Sequence, residues 1–175
     1  FFNYISPDEK IFSVCSLKNG ILTVSQNDDL LLLDFQKDQI EPFDDISSIE
    51  SVIGVNPIEA FKGRDDILAI LESEDAIKNL NVDFESLNKL DARGLIVSSA
   101  GTNHDFVSRF FAPATGVDED PVTGSAHTTL TPYWSQKLNK TNLTAAQLSR
   151  RGSVLYCEDK GDRVIIGGKA TQYLK

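Results

Sequence analysis

The chain has 175 residues and a net charge of −9, long enough for one domain with a real core or for part of a larger protein. Its composition is that of a soluble globular protein, and the acidic balance, with no dense Lys/Arg cluster to offset it, argues against a nucleic-acid or acidic-membrane footprint. No apolar run approaches the ~20 residues of a spanning helix, no signal peptide is visible, and Cys15 and Cys157 form neither a metal-type spacing nor a disulfide framework, so both read as buried thiols in a reducing cytoplasm.

Phe1-Phe2-Asn3-Tyr4 reads as the end of an apolar helix, and with no Met in the chain an N-terminal portion is expected upstream. Residues 11–17 and 21–25 flank Lys18-Asn19-Gly20 and predict a hairpin. Leu30–Phe35 predicts a third strand, and the polar stretch 36–45 a linker. Ile46, Ile49, Val52 and Ile53 recur at helical spacing until Gly54. Asn56-Pro57 with Glu59 is a helix-start pattern. Strands are expected over 66–72, 95–98 and 105–111. Short helices capped by Ser73 and Asp83 are expected over 74–80 and 84–90.

Gly124–Asn139 predicts the main helix, with Ala126, Leu130, Tyr133, Trp134 and Leu138 on one side. Pro132 conflicts with it, because it removes a backbone donor and should kink the helix. Thr144 with Gln147 forms a capping box for a last short helix. Residues 154–158 and 163–168 are expected to pair across the turn at 159–162. The order is mixed and holds no strict βαβ repeat. It predicts an α+β fold with a curved mixed sheet wrapped around one helix.

The chemistry concentrates in Arg109–Trp134, where Asp120-Pro121-Val122-Thr123-Gly124-Ser125 runs straight into the main helix. Amides in a first helical turn lack intrahelical partners, and the helix dipole adds positive charge there. Gly124 permits close approach of a ligand, Thr123 can cap the helix, and Ser125 adds a hydroxyl donor. A small carboxylate fits such a pocket without Lys or Arg. Asp120 beside it meets a like charge when the ligand arrives, which favours sharing a proton. Asp120 also reads simply as an N-cap before Pro121.

Other readings of the same residues are weaker. Ser125 and His127 are two apart on a helix and face different ways, and no Gly-x-Ser-x-Gly elbow exists, against a serine triad. His104, Asp105 and His127 lack metal-ligand spacing, so no metal site is expected. Gly167-Gly168 reads as a bulge or turn. Asp44, Asp45, Asp65 and Asp66 read as solvated charge.

The string Glu119-Asp120-Pro121-Val122-Thr123-Gly124-Ser125-Ala126-His127, preceded by Arg109-Phe110-Phe111-Ala112-Pro113, resembles the phenazine-biosynthesis-like (PhzF-type) isomerase family, which shares the diaminopimelate epimerase fold. Arg93–Val97, Gln147–Gly152 and Ile166–Gly168 are similar to further family segments. The resemblance covers nearly the whole chain, as the C-terminal two thirds of a member. It implies two lobes, each a sheet curled around a helix, with the active site between them. Residues 1–38 would be strands left from the N-terminal lobe and 39–175 the C-terminal lobe. It further implies Asp120 as the acidic catalytic residue of this lobe, Gly124 and Ser125 as carboxylate binders, and Ser125 as part of the catalytic set. Thr123 is added to the substrate-binding group as their neighbour. The family's main acid/base Glu and its Gly-His pair belong to the first lobe and have no match here. Diaminopimelate epimerases transfer protons with two cysteines, and Thr123-Gly124-Ser125 carries none.

The expected activity is therefore a cofactor-independent isomerase or epimerase of a small carboxylic acid, working by general acid/base proton transfer, with this chain alone inactive. The alternative is a non-catalytic metabolite-binding or protein-interaction homologue. No nucleic-acid or membrane partner is expected. A missing lobe would leave apolar surface bare, so pairing as a homodimer is expected.

Overall fold

The computed structural model describes residues 8–16 and 20–171. The strands are β1 (Ile11–Ser16), β2 (Gly20–Asn27), β3 (Leu30–Gln36), β4 (Glu41–Pro42), β5 (Glu59–Lys62), β6 (Asp66–Ile70), β7 (Gly94–Ala100), β8 (Phe106–Ala112), β9 (Val117–Glu119), β10 (Asn142–Gln147), β11 (Ser153–Asp159) and β12 (Arg163–Lys169). The helices are α1 (Ile46–Ile53), α2 (Glu74–Lys78), α3 (Phe84–Leu87) and α4 (Ala126–Leu138). All twelve strands join one mixed sheet in the order β1-β2-β3-β12-β11-β10-β8-β7-β6-β5-β4, with β9 on β8. The β6–β7 and β8–β10 pairs are parallel, and the rest are antiparallel. The architecture is α+β, as the sequence predicts. Among the described residues no helix is long and apolar enough to cross a membrane.

Burial along the strands shows how the sheet is covered. β6 and the Gly94–Ser99 part of β7 are buried at every position, because both faces are packed. Their sequences are correspondingly short apolar runs without alternation. In β11 the exposed Val154 and Tyr156 alternate with the buried Leu155 and Cys157, so only one face is covered. α4 fills the inner face, where Leu130 and Trp134 join Leu68, Ile96, Phe106, Leu155 and Val164 in one core. α1, α2 and α3 cover the other face of β5–β8, with Ile49, Ile77 and Leu87 against Ile67, Leu95 and Phe111. The sheet thus curls around α4 from β12 to β5, where Tyr133 Oη donates to Glu59 at 3.0 Å. The predicted boundary at residue 38 falls just past β3, which pairs with β12 from Arg163↔Gln36 to Lys169↔Leu30.

α4 is buried nearly all round, including His127, Thr129, Thr131 and Ser135. Leu138, expected on its apolar side, is instead 40% exposed near the C-terminal end. Pro132 lies inside the helix. The carbonyl it deprives of a donor, that of Thr128, accepts the Asp38 N–H at 3.2 Å. The segment expected to be a loose linker therefore completes the helix.

Several expectations need correction. The stretch at Asn56-Pro57 leads into strand β5, not a helix, because no apolar run at helical spacing follows it and Glu59–Lys62 pairs with β6. Thr144 and Gln147 lie on strand β10. Thr144 N–H donates to Asp105 Oδ2 at 2.7 Å instead of opening a helix. Cys15 is exposed, since the face of β1 that carries it is uncovered, whereas Cys157 is buried. Asp45 is exposed as expected, but it also accepts the Ser48 N–H and caps α1. Asp66 is only 4% exposed and so is not solvated. Gly167 lies within β12, where a Cβ would come within 2.9 Å of Leu32, so it serves close packing and not a turn. The turn residues Lys18-Asn19 and the opening Phe1–Tyr4 lie outside the described residues.

Candidate active site

The chain leaves β8, passes through β9 and reaches α4 by way of residues 120–125. Arg109 holds this start, with Nε donating to Glu119 Oε1 at 2.7 Å and Nη2 to Oε2 at 3.1 Å. Its guanidinium also lies 4.8 Å from the Phe111 ring centroid. Asp120 N–H then donates to Phe110 O at 3.0 Å.

The Asp120 carboxylate does not cap α4. Its Oδ2 accepts the Thr123 hydroxyl at 2.6 Å, and the helix starts at Ala126 with Ser125 as an N-cap residue that makes no side-chain capping bond. Thr123 is buried and fully engaged. Its N–H donates to Gln147 Oε1 at 2.8 Å, and its carbonyl meets His127 Nδ1 at 2.8 Å. The capping role expected for Thr123 is therefore not what the structure shows. Gln147, 1% exposed, further donates from Nε2 to Asp120 O at 2.8 Å and to Thr123 Oγ1 at 3.1 Å. Ser149 Oγ donates to Pro121 O at 2.7 Å and anchors the same loop a second time.

The amides of Gly124, Ser125 and Ala126 donate to no acceptor among the described residues. This is the expected condition of a helix N-terminus, and it leaves three donors in sequence order. A Cβ at Gly124 would meet only Leu33 Cδ1, at 3.8 Å. Packing within the chain thus leaves room for a side chain there, and the glycine keeps this part of the backbone bare.

A small polar cavity of about 120 Å³ lies beside this turn, lined by Ser125, Thr128, Thr129, Arg93, Asp66 and Asp38, among others. Asp120, Thr123 and Gly124 do not line it. The pocket contains an arginine after all. Arg93 Nη2 donates to Ser125 Oγ at 3.2 Å. The same guanidinium is bidentate to Asp66, with Nε to Oδ1 at 2.9 Å and Nη2 to Oδ2. Burial raises the Asp66 carboxyl above its ordinary range, against the lowering pull of Arg93. Asp38 Oδ2 accepts the Thr129 hydroxyl at 2.8 Å across the cavity mouth.

His127 faces away from Ser125. Its Nδ1 sits on a carbonyl, which can only accept, so Nδ1 carries the proton. Nε2 is buried without a partner. Burial pushes the imidazole down to about 4, with the Thr123 bond opposing. It is a neutral strut under the turn and not the base of a serine triad. Cys157 is equally unsuited to act as a nucleophile, because burial pushes its thiol up to about 12. Asp105 is engaged by Lys140 and Thr144, and among the described residues no group of three or more His, Cys, Asp or Glu gathers as a metal site.

Arg93, Asp66 and Gln147 belong to this region, although sequence pattern does not mark them as site residues. Each reaches a partner far along the chain. The one local signal is Gln147 itself, which shares with Leu143 and Ala145 the buried face of a strand whose polar residue demands a bonding partner.

The family model of phenazine biosynthesis-like proteins (PhzC-PhzF) matches residues 23–175. An uncharacterized isomerase of Pseudomonas aeruginosa is 45% identical over 167 residues, covering 95% of this chain and 63% of the relative. The mouse phenazine biosynthesis-like domain-containing protein 1 is 36% identical over 177 residues, covering 90% of this chain and 62% of that protein. A crystal structure of a PhzF-family protein from Enterococcus faecalis superimposes with a TM-score of 0.91 at 40% identity, covering 99% of this chain and 68% of that one. The chain belongs to the phenazine biosynthesis-like (PhzF) family. It spans somewhat less than two thirds of the length of these curated relatives.

Proposed function

We propose that the protein is a cofactor-independent isomerase that moves a proton between carbons of a small, amino-acid-like or cyclic carboxylic acid. The reading is carried by one observation: three unpaired amides, Gly124 to Ala126, open α4 a few residues after an aspartate that the protein holds by one carboxylate oxygen. Unpaired amides at a positive helix end suit a carboxylate. Ser125 adds its hydroxyl. Arg93 donates to Ser125 Oγ, which leaves the hydroxyl hydrogen for the substrate. Fixed donors of this kind need no reorganisation when charge develops in the reaction.

On this reading Asp120 is the acid/base group of a diaminopimelate epimerase-like lobe, and β1–β3 belong to the sheet of a first lobe. That lobe supplies the opposing acid/base group, which has no counterpart in these residues, and the chain by itself is inactive. The relatives named as isomerases support the reaction class. Positioned general acid/base groups contribute about 10²–10⁴-fold in rate.

The test is proton exchange in D2O, followed by NMR, by the full-length protein with both lobes, across a panel of small amino and cyclic carboxylic acids. Exchange that Asp120→Asn lowers at least a hundredfold, with the fold intact, supports the reading. Exchange that survives Asp120→Asn refutes the role of Asp120. A protein that binds an acid of the panel without exchange is the non-catalytic homologue instead.

A further inference from the structure

The direction of each hydrogen bond around Gln147 is fixed by the chemistry of its partners. The Thr123 N–H can only donate, and it meets Gln147 Oε1 at 2.8 Å. The Asp120 carbonyl can only accept, and it meets Nε2 at 2.8 Å. Turning the amide over would set donor against donor and acceptor against acceptor, so its orientation is determined. Nε2 therefore also donates to Thr123 Oγ1, at 3.1 Å. With that lone pair occupied, the single hydroxyl hydrogen of Thr123 goes to its remaining neighbour, Asp120 Oδ2, at 2.6 Å. The chain runs from amide to hydroxyl to carboxylate and ends in a short charge-assisted bond. Oδ1 of Asp120 accepts nothing from the described residues.

We propose that Gln147 is a positioning residue which, acting through Thr123, commits Oδ2 of Asp120 to the protein and leaves Oδ1 as the oxygen that exchanges a proton with substrate. The inference rests on the acid/base role proposed above for Asp120. Anchoring the loop does not account for this bond. Ser149 already ties Pro121 to the neighbouring segment, and two of the three Gln147 bonds reach backbone atoms of the loop. The third ends on a hydroxyl and determines where its proton points. Burial of Gln147 keeps water from competing for these donors. The proton balance is simple: Oδ1 accepts the proton that leaves one substrate carbon while the opposing group of the first lobe delivers one to the other carbon, both groups return to their starting states through solvent, and the Thr123 proton stays on its oxygen.

The experiment compares Thr123→Ser, which keeps the hydroxyl, with the near-isosteric Thr123→Val. The direct readout is the hydrogen–deuterium isotope shift on the Asp120 carboxyl ¹³C resonance in mixed H2O/D2O, which reports an O–H donated to that carboxylate. The signature is expected in the wild type and in Thr123→Ser, and absent in Thr123→Val. Its absence from the wild type, or its survival in Thr123→Val, overturns the proposal. Gln147→Glu, where it folds, should also abolish it, because the Thr123 hydroxyl then turns toward the new carboxylate; persistence there counts against the proposal. A second readout uses any acid that exchanges in the panel above. Thr123→Val should lower kcat about tenfold or more at unchanged KM, and Thr123→Ser should restore it. Failure of the Asp120 reading looks different: exchange survives Asp120→Asn while the isotope signature of the wild type is untouched.

Discussion

Asp38 donates its N–H to the Thr128 carbonyl at 3.2 Å, the acceptor that Pro132 leaves without its helical partner. The Asp38 side chain extends the same contact, since Oδ2 accepts the Thr129 hydroxyl at 2.8 Å and Oδ1 the Gln39 N–H at 3.0 Å. A proline that should weaken the central helix instead marks where the connecting segment docks on it.

The consequence for Pro132→Ala is a small effect. A proline inside a helix ordinarily costs about 3 kcal/mol. Here the orphaned carbonyl is already satisfied, and the new N–H must compete with Asp38 for it. Urea unfolding should show a change under ~1 kcal/mol. A gain near the full helix penalty would show that the Asp38 bond contributes nothing.

His127 makes stability depend on pH in a defined window. Its ordinary value is 6.5, and burial lowers it to about 4 in the folded protein. Between these values the unfolded chain binds a proton that the folded chain refuses, so stability rises with pH. The contribution is fully present above the unfolded value and is lost as pH falls toward the folded one. From pH 7 to pH 5 the loss is roughly 2 kcal/mol. Urea unfolding of the wild type and of His127→Gln at both pH values isolates it, because the variant should lack this component. Equal pH dependence in both proteins would refute the buried neutral imidazole.

The Arg93–Asp66 pair predicts an asymmetric pair of mutants. Asp66 is buried, while the Arg93 side chain is 37% exposed. Arg93→Met strands a buried carboxylate and should cost ~2–4 kcal/mol, the lower part of that range reflecting the exposure of Arg93. Adding Asp66→Asn removes the unpaired charge and should recover much of the loss. A double mutant no more stable than Arg93→Met would show that the pair matters for packing and not for charge.

Much of the fold was legible because it rests on local patterns. Gly54 ends α1 in the left-handed conformation, Ser73 and Asp83 cap α2 and α3, and the apolar run at 30–35 is β3. The failures at β5 and β10 share a cause. Asn56-Pro57 and Thr144-x-x-Gln147 carry helix-start chemistry, but their conformation is decided by pairing with β6 and with β8 and β11, which no local window contains. The site divides in the same way. The loop with Asp120, Gly124 and Ser125 is contiguous and could be read directly. Arg93, Asp66 and Gln147 reach it only through the topology, since β6, β7 and β10 come together by sheet order. Thr123 carries the chemistry of a cap and a ligand contact, yet its donors are taken by Asp120 and Gln147.

Whether the open amides of α4 grip a small carboxylate beside Asp120 is tested most directly by an amide NMR titration with benzoate. The Gly124, Ser125 and Ala126 resonances should move saturably while Thr123, whose N–H is held by Gln147, moves much less. Ser125→Ala should weaken the response, and chloride at equal ionic strength should not reproduce it. Saturable shifts confined to other parts of the chain, or none at any concentration, would contradict the account.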